Sequence, residues 1–335
     1  MANTRKTINL ALQGGGSHGA FTWGVLDALL EDGRLDIEGI SGTSAGAMNA
    51  VALAHGLAQA SEQGLSGKQA REAARTALKR FWDGVGVMGT LMTGVPLRGS
   101  QALLGFFSQW MSPYQTNPLG INPLRRLLER EIDFELLARQ QAVKVFVTAT
   151  NVRTGRGEVF TSERVTADAV MASACLPMLF KAVEIEGEHY WDGGYSGNPA
   201  IYPLIYKTEA RDVLLVQINP VEAPAVPSTS QEIMERINEI TFNAGLLAEM
   251  RAIDFVQRLL AEGKLDPKRY KNLLLHRIDG GRLLADFGAS SKMRTDTVFI
   301  QRLFTLGRDA GTHWLKHHFR DIGVRAGVDT AQNDA

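Results

Sequence analysis

The chain has 335 residues, 44% hydrophobic and 21% charged, the make-up of an ordinary soluble globular protein long enough for one large α/β domain or two smaller ones. Its 36 basic and 36 acidic side chains cancel, so charge gives no reason to expect a nucleic-acid partner. One cysteine, Cys175, excludes an intrachain disulfide and suits a reducing compartment; no signal-peptide core follows the polar Met1–Thr7 and no apolar run is long enough to span a bilayer, so a cytoplasmic protein is expected, touching a membrane only peripherally at its inner face.

Ile8–Leu12 reads as a buried strand, followed by the turn Gly14-Gly15-Gly16-Ser17-His18-Gly19. Phe21, Val25, Leu26, Leu29 and Leu30 then recur at helical spacing up to a stop at Gly33. A second apolar strand, from Ile37, halts at Gly42, and a helix of small residues (Ala45, Gly46, Ala47, Ala50, Ala52, Ala54) follows Ser44. This β-α-β-α opening predicts a parallel sheet with helices on its faces. A helix from about Gly67 to Trp82 closes the first unit.

From Gly84 to Leu124 the only charged side chain is Arg98, among many large apolar residues including Phe106, Phe107 and Trp110. Glycine and proline interrupt the stretch, which is either a buried insertion or an interfacial lid and acyl-chain wall. A helix near 122–130, a strand Val143–Ala149, another at Glu158–Phe160 and a short helix Ala167–Ala174 come next. Val183–Ile185 and Glu188–Trp191 form a hairpin across Glu186-Gly187 that leads into Asp192-Gly193-Gly194. Val213–Ile218 is a central strand, apolar until Gln217. Pro220–Ser230 is linker-like. Thr229 and Glu232 then make a capping box for a long amphipathic helix carrying Ile233, Ile237, Ile240, Leu247, Met250, Val256 and Leu260. A further strand, Leu273–Ile278, and a helix from Thr297 to about Phe319 precede a polar tail.

Two motifs carry chemistry. Gly42-Thr43-Ser44-Ala45-Gly46 is G-x-S-x-G, a strand-to-helix turn that lifts a serine hydroxyl above the end of a sheet, with a helix N-terminus behind it. Gly14-Gly15-Gly16-Ser17-His18-Gly19 also satisfies the dinucleotide fingerprint G-x-G-x-x-G, yet Ser41-Gly42-Thr43-Ser44 stands where that fold needs an acid for the ribose, and no P-loop Gly-Lys-Ser/Thr follows. What remains is a nest of backbone N–H groups that beside an elbow serine makes an oxyanion hole. Only one βα unit precedes Ser44, which argues against the α/β-hydrolase order of Ser, acid and loop histidine. No clustered carboxylate or His/Cys pattern suggests a metal, so neither metal nor cofactor is expected.

The ordered set Gly14-Gly15-Gly16-x-x-Gly19, Gly42-x-Ser44-x-Gly46 and Asp192-Gly193-Gly194 resembles the patatin-like phospholipase family, as do Ala172–Phe180 before the aspartate and Asn198-Pro199 after it. The resemblance covers roughly residues 8–220. It implies a three-layer α/β/α fold with a mostly parallel central sheet: a catalytic domain over residues 1–227, with 84–124 as an apolar lid or insertion, and a mainly helical C-terminal extension, 228–335, packed on it. It further implies a Ser-Asp dyad, Ser44 as nucleophile and Asp192 as base, with the backbone amides of Gly14, Gly15 and Gly16 holding the oxyanion. Ser17, His18, Gly19, Gly42, Thr43, Ala45, Gly46, Gly193 and Gly194 support these motifs. The expected partner is a phospholipid or lysophospholipid; an esterase or acyltransferase for a storage polyester or thioester, or a non-enzymatic anion- or nucleotide-binding protein, are the alternatives. This chain departs from the family at His18, where the loop usually carries Arg or Lys. A second D-G-G, Asp279-Gly280-Gly281, lacks the family's flanking residues and reads as a turn.

Overall fold

The computed structural model describes residues 5–93, 122–139, 142–223 and 225–328. In chain order its elements are β1 (Lys6–Leu12), α1 (Gly19–Asp32), β2 (Leu35–Thr43), α2 (Ala45–Glu62), α3 (Gly67–Thr93), α4 (Pro123–Glu131), α5 (Phe134–Arg139), β3 (Lys144–Asn151), β4 (Gly157–Thr161), α6 (Ala167–Ser173), β5 (Val183–Ile185), β6 (Glu188–Asp192), α7 (Tyr202–Lys207), β7 (Asp212–Gln217), α8 (Ser230–Ala261), β8 (Leu274–Asp279), α9 (Gly280–Leu284) and α10 (Thr297–His318). The strands form one sheet in the order β5-β6-β3-β2-β1-β7-β8, with β4 also paired to β3. The five strands from β3 to β8 run parallel, while β4, β5 and β6 join antiparallel at one edge.

Alternation along the strands sorts the core into two layers, as the pleat requires. Leu10, Leu12, Leu214 and Val216 pack with α1, α2 and α3 on one face, and Ala11, Val213, Leu215 and Leu275 pack with Leu204 of α7 and Leu246, Met250 and Ile253 of α8 on the other. β1 and β7 therefore need apolar residues at consecutive positions, and Ile8, Leu10, Ala11, Leu12 and Val213 to Val216 are all fully buried. The residues beyond Ser230 supply α8 to the second face, β8 to the sheet edge, and α10 to the first face, against α1. The fold is a three-layer α/β/α sandwich around a mostly parallel sheet.

α3 does not end near Trp82 but runs unbroken to Thr93. Its late glycines are contact notches: a Cβ on Gly84 would come within 2.4 Å of Leu127 in α4, and one on Gly89 within 2.3 Å of the Thr295 carbonyl. The apolar stretch 84–124 thus begins inside α3 and ends in α4, and its residues 94–121, with Phe106, Phe107 and Trp110, lie outside the described residues. Among the described residues no helix is long and apolar enough to cross a membrane.

The chain passes from β1 to β2 to β3 in one direction and returns to place β7 and β8 on the other side of β1. The reversal makes the carboxyl end of β1 a topological switch point, where a crevice opens above the sheet. The glycine turn follows β1 and Ser44 follows β2, so both motifs sit at that crevice.

Candidate active site

Ser44 occupies the turn between β2 and α2 with φ 54° and ψ −121°, a left-handed conformation that is strained for a residue with a Cβ. The surroundings over-determine it. Its N–H donates to Ser173 Oγ at 2.8 Å. A Cβ on Gly46 would stand 2.1 Å from the Leu12 carbonyl, so the first turn of α2 fits against β1 only with glycine there. Gly42 faces the same constraint from Gly46 itself, at 2.5 Å. The G-x-S-x-G pattern is thereby a packing requirement as well as a turn. α2 then runs from the serine into the core, its first twelve residues all buried, and aims its positive end at the crevice.

Strand register brings Asp192 to the serine. Thr43 pairs with Thr148 across β2 and β3, and the next residue of β3, Ala149, pairs with Asp192, the last residue of β6. Asp192 is 1% exposed. Its carboxylate accepts hydrogen bonds from the Gly194 N–H, at 2.7 Å, and from the Ser44 hydroxyl. Burial raises its pKa from 3.8 to about 7 against the opposing pull of those two donors. The backbone around it is fixed by Asp192 N–H to the Cys175 carbonyl and by Thr150 Oγ1 to the Asp192 carbonyl, each at 2.8 Å.

The glycine turn is held by four buried amide side chains. Asn198 accepts from the Gly14 N–H at 2.6 Å and donates to the Gly14 carbonyl, and Asn219 Nδ2 donates to the same carbonyl at 2.7 Å. Gln13 links Asn198, Asn219 and Asn243. Since a trans peptide sets N–H opposite C=O, anchoring the Gly14 carbonyl turns the Gly15 N–H the other way. Gly15 and Gly16 both line the cavity that holds Ser44, and among the described residues no acceptor meets either amide. The Gly14 amide is occupied, so of the three expected oxyanion donors Gly15 and Gly16 are free. Gly14 serves instead as close packing, since a Cβ there would lie 2.6 Å from Ser44 Cβ.

His18 is 2% exposed, with Nε2 bonded to Ser291 Oγ at 2.7 Å and Nδ1 left without a partner. Burial, and then the charge of Lys292, push its pKa down to about 3, so it is neutral and supplies no positive charge to the loop. Ser17, its neighbour, donates to the Ser291 carbonyl at 2.9 Å. Gly19 opens α1 and meets Ala45 and Trp82, and Thr43 donates to the Gly197 carbonyl at 2.7 Å. Gly193 and Gly194 form the single 3-10 turn after Asp192. Cys175 is no rival nucleophile: burial and the nearby Asp192 push its thiol up to about 12. Asp279 is elsewhere, at the end of β8 and partly exposed, with Arg282 3.8 Å away.

The cavity measures about 240 Å³. Ser44, Asp192, Gly15 and Gly16 line it together with Met48, Phe81, Trp82, Val85 and Met88 from the α2–α3 side, Leu124, Leu176 and Phe180, and Phe242 from α8. Leu179 and Met293 also line it while remaining 43% and 62% exposed, which gives the mouth an apolar rim. A larger hollow among His55, Arg80, Glu131 and Asp133, of about 650 Å³, is open and polar, and no serine lines it. Ser173, Asn198, Asn219, Phe242 and Lys292 contribute to the site although sequence reasoning assigns none of them a role in it. Ser173 and Asn198 fall in the stretches that carry the family resemblance, but Asn219, Phe242 and Lys292 are brought in by long-range packing alone.

A family model described as patatin-like phospholipase matches residues 10–205. No curated protein matches the chain. Among solved structures, VipD from Legionella pneumophila is similar at 16% identity, with 93% of this chain and 67% of that chain covered and a TM-score of 0.40. ExoU of the Pseudomonas aeruginosa type III secretion system, in its complex with SpcU, is also 16% identical, covering 90% of this chain and 53% of that chain with a TM-score of 0.33.

Proposed function

The chain belongs to the patatin-like phospholipase family and is a lipid acyl hydrolase, and from that premise we propose that it cleaves the acyl ester of a phospholipid or lysophospholipid with a Ser44–Asp192 dyad. The observation that carries the reading is the strained Ser44 hydroxyl bonded to a buried carboxylate whose pKa stands near 7, a base matched to neutral pH.

Ser44 Oγ attacks the ester carbonyl carbon while Asp192 takes its proton. The carbonyl oxygen becomes an oxyanion facing the Gly15 and Gly16 amides and the N-terminus of α2. Collapse breaks the ester C–O bond, and Asp192 returns the proton to the departing alcohol. A water, deprotonated by Asp192, then attacks the acyl-serine and releases the fatty acid and the free hydroxyl of Ser44. The general base contributes about 10²–10⁴-fold and an oxyanion donor about 10²–10³-fold in such sites. The apolar walls suit an acyl chain, and the rim of Leu179 and Met293 suits entry from an aggregated lipid. Binding an anion without chemistry explains neither the elbow strain nor the raised carboxylate.

Reaction with a fluorophosphonate probe tests the reading without a guess at the head group. The wild-type protein is expected to label at Ser44, and Ser44→Ala and Asp192→Asn to lose labelling and lipid hydrolysis together. An unlabelled wild-type protein that retains hydrolysis sinks the dyad.

A further inference from the structure

One charged group at the Ser44 cavity is left unused by the dyad. Lys292, in the 3-10 turn Ala289–Met293 before α10, is among the described residues the one cationic side chain lining that cavity. The residue keeps some exposure, but its ammonium points inward and donates to Asn219 Oδ1 at 2.8 Å, a neutral acceptor. Among the described residues this is its one hydrogen bond, and it enters no ion pair. A desolvated ammonium with only a neutral partner is costly unless an anion joins it.

Its location says which anion. The Lys292 carbonyl would lie 2.3 Å from a Cβ on Gly16, so this turn is seated directly on the glycine loop, and Asn219 Oδ1 would lie 3.5 Å from a Cβ on Gly15. The ammonium, bonded to that same Asn219 Oδ1, is thereby held beside the glycine loop. It is also the head of a chain of hydrogen bonds, from Lys292 to Asn219 and from Asn219 Nδ2 to the Gly14 carbonyl, each link polarising the next toward the Gly15 N–H. His18 is neutral and cannot supply this charge.

We propose that Lys292 is a positioning residue for the hydrolysis assigned to Ser44: carried in by the C-terminal segment, its ammonium stands beside the oxyanion hole and strengthens the Gly15 and Gly16 donors as the tetrahedral intermediate forms. The inference rests on the Ser44–Asp192 reading and makes the residues beyond 228 part of the catalytic machinery.

The groups facing Lys292 define its pH behaviour. His18 faces it from the loop, Asp192 from the cavity, Glu235 and Glu239 from α8, with Glu239 paired to Arg236 at 3.2 Å, and Glu222 across the hollow it shares with Glu239. Burial lowers its pKa below 10.5 although Glu239 and Glu235 oppose the shift. The charge of the ammonium is lost as pH rises through that lowered value, so activity acquires an alkaline limb. Arginine stays charged throughout.

The experiment compares wild type, Lys292→Met and Lys292→Arg on a neutral p-nitrophenyl ester and on vesicles of zwitterionic and of anionic phospholipid, from neutral to alkaline pH. Lys292→Met should lower kcat on every substrate by about 10–100-fold with KM within about twofold, as loss of oxyanion stabilisation does. Lys292→Arg should keep most of kcat and lose the alkaline limb. Unchanged kcat in Lys292→Met overturns the proposal. So does an effect confined to KM on anionic vesicles, which makes Lys292 a contact to a substrate anion. If Lys292→Met melts at room temperature, an alkaline limb that persists in Lys292→Arg overturns it just as well. Wild-type protein without Ser44-dependent labelling would remove the dyad reading itself, a failure distinct from these.

Discussion

The Ser44 N–H donates to the hydroxyl of Ser173 at 2.8 Å, joining the elbow to the end of α6 across 129 residues of sequence. Ser173 is fully buried, so this bond has no water to replace it. With the packing at Gly42 and Gly46, it helps keep the nucleophile in its left-handed turn. Ser173→Ala should cost about 1–3 kcal/mol by orphaning that amide, and should lower kcat roughly tenfold to a hundredfold by loosening the nucleophile. Thermal melting and steady-state kinetics measure both. A stable variant with full kcat would show that the strain is held by packing alone.

Much of this site is legible in the sequence because its parts are local. An elbow needs glycine at fixed offsets, a loop that approaches backbone needs consecutive glycines, and a hairpin announces itself through Glu186-Gly187. The capping box at Thr229 and Glu232 forms as its spacing predicts. Misreading begins where glycine plays a different part. Gly84, Gly86 and Gly89 look like breakers, yet helix α3 continues through them because Leu127, Thr297 and Thr295 pack into the space a side chain would take. The supports of the loop are illegible for another reason. Asn198, Asn219 and Ser291 reach the loop from 184, 205 and 273 residues away, and no period or spacing encodes such contacts.

The cavity predicts chain-length selectivity. Val85, on α3, is 6% exposed and lines it, so Val85→Phe should fill space that a long acyl chain needs. Long-chain p-nitrophenyl esters should lose about tenfold in kcat/KM relative to short ones. Equal loss along the series, with a lowered melting temperature, would mark Val85 as core alone.

The chemistry proposed draws every proton transfer from Ser44 and Asp192, so hydrolysis should proceed without added divalent cation. EDTA is expected to leave the rate on a soluble ester unchanged. Complete loss in EDTA, restored by one divalent ion, counts decisively against this mechanism.

The second D-G-G provides an internal control. Asp279 caps nothing with its side chain at the start of α9, and its ion pair to the exposed Arg282 spans 3.8 Å. Asp279→Asn should shift stability by no more than about 0.5 kcal/mol and leave turnover at the wild-type value. A catalytic defect there would reassign the base.

Asp192 makes two opposite predictions, one for rate and one for stability. As the base it must be ionised, so activity falls as pH drops through about 7, the value to which burial raises it. An unperturbed histidine titrates nearby, at about 6.5, so the limb alone does not identify the group. His18, the histidine beside the loop, is pushed down to about 3 and produces no limb near neutrality. Replacing each of the seven histidines should therefore leave the limb in place, whereas Asp192→Asn removes the activity. Stability runs the other way. With a folded pKa of about 7 against 3.8, the folded protein holds this proton more tightly than the unfolded chain, so stability falls as pH rises from about 3.8 to about 7 and is level above. Asn carries no charge to bury and can still accept the Gly194 N–H. Asp192→Asn should then be inactive yet more stable than wild type at pH 8, by on the order of 2–4 kcal/mol, with the gain vanishing below about pH 4. Denaturant melts at the two pH values decide it. An inactive variant less stable than wild type at pH 8 would falsify the claim that the carboxylate is held ionised at a cost to the fold.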